Sequence, residues 1–233
     1  MQDVIYMDNA ATTRTSREVV ESMIPYFTEH YGNASALYSF AQDAKIGLEN
    51  ARKQVAKVIG AKSEEIYFTA GGSEADNWAI KATAEFLKAK GNHIITSKIE
   101  HHAVLHSCQY LEQHGYEVTY LDVDEYGMIN LEELKAAIRP TTILITIMFA
   151  NNEIGTIEPI KAIGAIAKEN HIYFHTDAVQ AFGQVPINVE EMNIDMLSAS
   201  AHKLHGPKGI GMLYIRKGVK IRSFVHGGAQ ERK

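Results

Sequence analysis

"TTILITIMF" (141–149) is an unbroken apolar run, and "IYFHTDAVQ" (172–180) is a second run that ends in polar residues. Short runs without polar alternation suit strands buried on both faces, the kind found in parallel sheets covered by helices. A helix beginning near Pro159 fills the gap between them. The same alternation extends outward in both directions. "EIYFTAGG" (65–72) reads as a strand entering a glycine turn, followed by a helix from Ser73 towards Gly91. "HIITS" (93–97) is strand-like, His101 to His114 is helical, and Gly115 ends that helix. "YEVTYLDV" (116–123) is another strand, "NLEELKAAI" (130–138) a short capped helix, and "MLSASA" and "IGMLYIR" supply the last strands. Upstream, a helix through Ala44, Leu48, Ala51, Val55 and Val58 stops at Gly60. Before it, Thr15 and Glu18 have capping-box spacing ahead of Val19, Met23 and Phe27, and Pro25 should kink or break that helix. Strands alternating with helices imply right-handed crossovers and an α/β fold, a mostly parallel sheet sandwiched by helices.

Composition sets the outer bounds. The chain has 233 residues, 45% hydrophobic and 22% charged, which suits an ordinary soluble globular protein with a substantial core. A net charge of −5 gives no electrostatic reason to expect nucleic acid or an anionic membrane surface. No apolar run approaches the roughly 20 residues of a membrane span. The start "MQDVIYMDNAATT" has no basic segment leading into an apolar one, so no signal peptide is expected. A single cysteine, Cys108, excludes an internal disulfide and suits a reducing compartment, the cytoplasm.

In open parallel sheets, ligands sit beyond the carboxyl ends of the strands. That rule sorts the polar residues. Gly71-Gly72-Ser73, Glu100-His101, Asn151-Asn152, Asp177 with Gln180, and Ser200-His202-Lys203 all fall at or just past expected strand ends. The two glycines and Ser73 at a helix N-terminus suit an anion such as phosphate, although a tight turn capped by Ser73 accounts for the same residues. Asp177 ends an apolar strand, where a carboxylate needs a partner, catalytic or structural. Lys203, among small residues in "SASAHKLHGPKGIG" (198–211), is a candidate for a Schiff base; a lysine snorkelling from a strand end is the alternative. Taken together, lysine, acid and anion cradle fit pyridoxal phosphate, with His101 available as a flat group for its ring. No metal site is expected. His102 and His106 are four apart on a helix, but no third ligand suggests itself.

The segments "YMDNAATT", "FTAGGSEADN", "EHHAVL", "NNEIG", "HTDAVQ", "SASAHKLHGPKGIG" and "GGAQER" cover nearly the whole chain in order. In them the chain resembles the NifS/IscS-type cysteine desulfurases, the class-V branch of the aminotransferases of fold type I. The resemblance implies that Lys203 holds the aldehyde of pyridoxal 5'-phosphate and Asp177 pairs with its ring nitrogen. It places His101 on the ring as a stacking and proton-transfer residue, and Asn152 and Gln180 near the ring hydroxyl. Gly72, Ser73, Ser200 and His202 would hold the phosphate. It further implies L-cysteine as substrate, alanine as product, and an enzyme persulfide passed to an acceptor protein for iron–sulfur cluster assembly or tRNA thiolation.

Members of that family are longer. The resemblance therefore implies an N-terminal fragment, inactive alone, that would form a homodimer at full length. Residues 1–14 would belong to the small domain and 15–233 to the large one, with the C-terminal small domain missing. The carboxylate-binding arginine, the persulfide cysteine and a Gly-Thr pair reaching the partner's phosphate would all lie beyond Lys233. Ala34, Ala41 and Ala229 depart from the family pattern by small-for-small changes. Cys108 lies seven residues after His101, about 10 Å farther along a helix, and reads as a small buried hydrophobe rather than the nucleophile. Two other readings stand beside this one: a selenocysteine lyase or other class-V aminotransferase, and a catalytically silent cofactor-binding or dimerising module.

Overall fold

The apolar runs become the interior of one seven-stranded sheet. The computed structural model describes residues 5–228, 230 and 231; Ala229 lies outside them. The strands are β1 (Ile66–Thr69), β2 (His93–Ser97), β3 (Glu117–Leu121), β4 (Thr142–Thr146), β5 (Tyr173–Asp177), β6 (Met196–Ser200) and β7 (Gly211–Ile215). Their order across the sheet is β1-β7-β6-β5-β4-β2-β3. β3, β2, β4, β5 and β6 run parallel, and β7 lies antiparallel to both β6 and β1. Two reversals give β1 the direction of β6, so the glycine turn after β1 opens on the same edge as the ends of the parallel strands.

Successive strand residues face opposite layers, as the two-residue period of a strand requires. Ile94, Met196 and Leu213 join the cluster formed with α3 (Gly72–Leu87) and α4 (His102–Glu112). Ile95, Leu197 and Tyr214 face the other layer, with residues of α2 (Gln42–Val58), α5 (Leu131–Ala137) and α6 (Ile160–Glu169). Alanines at 75, 79 and 84 let α3 lie close against the sheet. The mostly parallel, helix-covered sheet expected from the strand–helix alternation is the fold observed.

Three local expectations are corrected. The cap of α1 (Arg17–Thr28) is Ser16, whose hydroxyl accepts from Val19 N, because the Thr15 hydroxyl is spent on the carbonyl of Gly206. Pro25 does not break α1; it stands near the end, where its carbonyl accepts from Glu29 and His30 N. On α2 the buried positions are Arg52 and Ala56, while Val58 is exposed. Arg52 is tolerated inside because it donates to the carbonyl of Ile66, makes a two-pronged contact with the Glu231 carboxylate, and lies over the Phe68 ring.

Candidate active site

The edge where β1, β2, β4, β5 and β6 end carries a cavity of about 490 Å³, within the range of small-ligand sites. Gly72, Ser73, His101, Asn152, Asp177, Gln180, Ser200, His202 and Lys203, the residues selected from sequence, all line it. They arrive on five strand ends and the segments just after them, which explains how residues as far apart in sequence as 72 and 203 converge.

Lys203 closes a short 3-10 turn, Ala201–Lys203, directly after β6. Its ammonium donates to the carbonyls of Ala10 and Ala11, and the Gln180 amide donates to Ala10 O at 2.9 Å. Desolvation lowers the lysine pKa, while Asp177, Asp8 and Glu153 oppose that effect. The N-terminal segment is thus part of the cavity wall.

Asp177 ends β5 with its Oδ1 accepting from Val179 N at 2.9 Å. Burial raises its pKa, opposed by that hydrogen bond and by His101 and Lys203. Beside it stands Asp76, one turn into α3 and 1% exposed, with a buried Oδ1 that has no hydrogen-bond partner. Asp76, His101 and Asp177 offer polar atoms within 4.8 Å of one another. Burial first, and the neighbouring Asp177 second, push the Asp76 pKa well above the usual carboxylate range. Two buried carboxylates this close do not both ionise. Asp177 has the backbone donor and the cationic neighbour, so Asp177 keeps the charge and Asp76 keeps a proton.

The opposite wall suits an anion. α3 starts at Gly72, so the free amides of its first turn open beside Ser73, Ser200 and His202. Space here is tight: a Cβ on Gly72 would come within 2.5 Å of Val179 Cγ2, and one on Gly211 within 2.7 Å of the Gly71 backbone. The glycines of "TAGG" and "KGIG" therefore allow turn and strand to touch.

Glu100 and Asn151 hold this edge together from behind. Glu100 is buried and its Oε1 accepts from Ser97 Oγ at 2.6 Å and Met148 N at 2.9 Å, tying the end of β2 to the segment after β4. Burial raises its pKa to about 8. The Asn151 amide donates to Ile99 O, and its Oδ1 accepts from Glu153 and Ile154 N, turning Asn152 and Glu153 to the cavity. His101 caps α4 through Nδ1, which accepts from Ala103 N.

Asp76, Asp8 and Glu153 line the cavity and were not singled out in the sequence. The signal for Asp76 was its position four residues after Gly72, on the same face of α3. Cys108 lies in the apolar cluster under α4, fully buried, and desolvation raises its thiol pKa. His102 and His106 stack on each other at 5.2 Å and do not line the cavity.

The family described as aminotransferase class-V matches residues 5–233. The chain belongs to the class-V aminotransferase family. Among class-V relatives, the cysteine desulfurase IscS of Methanosarcina thermophila is 63% identical over 229 residues, covering 98% of this chain and 57% of the relative. The putative cysteine desulfurase IscS 1 of Bacillus subtilis is 53% identical over 98% of this chain and 60% of its own length. A solved structure described as SspA in complex with cysteine superposes with a TM-score of 0.95 at 46% identity, covering 98% of this chain and 66% of that one. A NifS-like protein gives 0.95 at 45% identity, covering 98% and 63%. The chain thus spans somewhat under two thirds of the length of these relatives.

Proposed function

We propose that this chain holds pyridoxal 5'-phosphate on Lys203 and forms the large-domain part of a cysteine desulfurase, which converts L-cysteine to L-alanine and passes the sulfur on as a persulfide. The observation that carries the reading is the meeting of Lys203, Asp177 and the helix-terminal cradle of Gly72, Ser73, Ser200 and His202 in one cavity. The fit is chemical as well: one wall supplies amide and hydroxyl donors for a phosphate, and the floor supplies an amine beside a buried acid. Pyridoxal phosphate serves class-V aminotransferases in general.

When bound, the cofactor supplies an electron sink for the pair left as a substrate Cα–H bond breaks. Asp177 holds a proton at the ring nitrogen, and its charge is preserved because Asp76 beside it is neutral. Lys203, with its pKa lowered by desolvation, is an amine that can both bind an aldehyde and move a proton. His101, Asn152 and Gln180 position the ring and its substituents. Cysteine as substrate is supported by the relatives' names and by the cysteine bound to SspA. By the same likeness the sulfur goes to an acceptor protein of iron–sulfur assembly or tRNA thiolation, in the cytoplasm, from a homodimer of the full-length protein. Residues 1–14 form the segment belonging to the small domain and 15–233 the large domain. Among the described residues no helix is long and apolar enough to cross a membrane.

The test is reconstitution with pyridoxal phosphate, removal of the unbound excess, and titration with L-cysteine. A visible cofactor band that shifts on addition of cysteine is expected. A chain that takes up no cofactor, or whose band ignores cysteine, contradicts the proposal.

A further inference from the structure

His202 stands where the anion-binding wall meets the N-terminal segment. Its Nδ1 lies 3.0 Å from Thr12 Oγ1, which leaves Nε2 for a ligand. Desolvation, with the Lys203 and Lys208 cations adding to it, lowers the His202 pKa, so the ring is neutral and carries one N–H. Which nitrogen holds that hydrogen decides whether the ring offers the cavity a donor or a lone pair.

Thr12 is held in place by its neighbours. Thr13 N and Thr13 Oγ1 both donate to His202 O at 2.8 Å, and His205 N donates to Thr13 Oγ1 at 2.8 Å. Thr15 Oγ1 donates to Gly206 O and Ser16 N to His205 O. The segment 13–16 is therefore fastened to the loop that carries Lys203, and the hydroxyl of Thr12 stays beside the imidazole.

We propose that Thr12 is a positioning residue for His202: its hydroxyl holds the ring through Nδ1 with Nε2 toward the cavity and, able to donate or accept, donates to Nδ1 when a phosphate draws the hydrogen onto Nε2. The inference rests on the reading of this wall as the phosphate site. The other tautomer would aim a lone pair at an anion that the remaining wall meets with donors.

Thr12→Val removes the hydroxyl at nearly constant shape, and Thr12→Ser restores it. Two measurements test the role. With pyridoxal 5'-phosphate bound, the ring-nitrogen NMR shifts of His202, assigned by their loss in His202→Gln, should show the Nε2–H form in wild type and Thr12→Ser. In Thr12→Val they should show a mixture. For binding, Thr12→Val should weaken pyridoxal 5'-phosphate about fivefold, the scale of one neutral hydrogen bond, and leave pyridoxal, which lacks the phosphate, unchanged. An Nδ1–H ring in wild type, unchanged phosphate-ester affinity in Thr12→Val, or an equal loss for both aldehydes overturns the proposal. A wild-type chain that binds neither aldehyde contradicts the reading of the cavity, whereas one that binds both but is indifferent to Thr12→Val contradicts the role of Thr12 alone.

Discussion

Asp76 and Asp177 place two buried carboxyl groups side by side at the floor of the cavity, one from the first turns of α3 and one from the end of β5. Their environments differ: Asp177 has a backbone donor and faces His101 and Lys203, whereas Asp76 Oδ1 has no hydrogen bond and lies 3.7 Å from His175 Nε2. One acid is set to carry charge and the other to remain neutral.

That asymmetry predicts opposite outcomes for the same substitution. Asp76→Asn replaces a neutral acid with a neutral amide and should leave cofactor retention within about twofold of wild type. Asp177→Asn removes the carboxylate charge of this pair and should slow cysteine-dependent Cα–H exchange by orders of magnitude in the full-length protein while cofactor stays bound to Lys203. The Asp76 proton is read directly by infrared difference spectroscopy: a carboxylic-acid carbonyl band present in wild type at neutral pH should vanish in Asp76→Asn. Loss of cofactor in Asp76→Asn, with Asp177→Asn unaffected, would reverse the assignment.

Glu100 gives a pH signature. Its pKa is raised by burial from 4.5 to about 8, so the folded chain holds a proton there that the unfolded chain releases. The contribution of this group to stability therefore falls as pH rises from about 4.5 to about 8, by about 1.4 kcal/mol for each pH unit in that window. His175 acts in the opposite sense below its ordinary value, since burial lowers its pKa to about 3 and its protonation opposes folding as pH falls from 6.5. Above pH 6.5 the Glu100 effect is not offset by His175. Glu100→Gln keeps an acceptor for Ser97 and Met148 and removes the titration, so its stability relative to wild type should increase between pH 5 and pH 8. Denaturant unfolding at the two pH values measures it, and a pH-independent difference contradicts it.

Cys108 is fully buried, with its thiol pKa raised by burial. It should react with iodoacetamide only after unfolding. These 233 residues, in which it is the sole thiol, should accordingly release no sulfide from cysteine by way of a protein persulfide. Sustained release by this chain, abolished in Cys108→Ala, would make Cys108 a nucleophile and overturn its structural role.

Arg52 predicts a stability cost rather than a change in chemistry. Its guanidinium is buried and balanced by Glu231, which also accepts from Phe68 N. Glu231→Gln should lower the unfolding free energy by about 1–3 kcal/mol, less than for a fully buried pair because the carboxylate is 33% exposed. An unchanged denaturation midpoint contradicts this.

The sheet was legible because β2, β4, β6 and β7 are buried along their whole length, which leaves an apolar run in the sequence. The residues at the cavity were legible because a parallel sheet gathers strand ends on one edge. What escaped depends on partners remote in sequence. Thr15 looked like a cap until Gly206 claimed its hydroxyl, and the burial of Arg52, outside the apolar positions of its helix, depends on Glu231, 179 positions away. Asp76 escaped because a helical acid near a helix start ordinarily faces solvent, and only packing shows that this one faces Asp177.

In the proposed function, everything turns on Lys203 binding the cofactor's aldehyde. Borohydride reduction of the reconstituted chain, digestion and mass spectrometry should place a phosphopyridoxyl group on the peptide containing Lys203, with none formed in Lys203→Ala. A phosphopyridoxyl group on another lysine in wild type, or an undiminished adduct in Lys203→Ala, would contradict this role for Lys203.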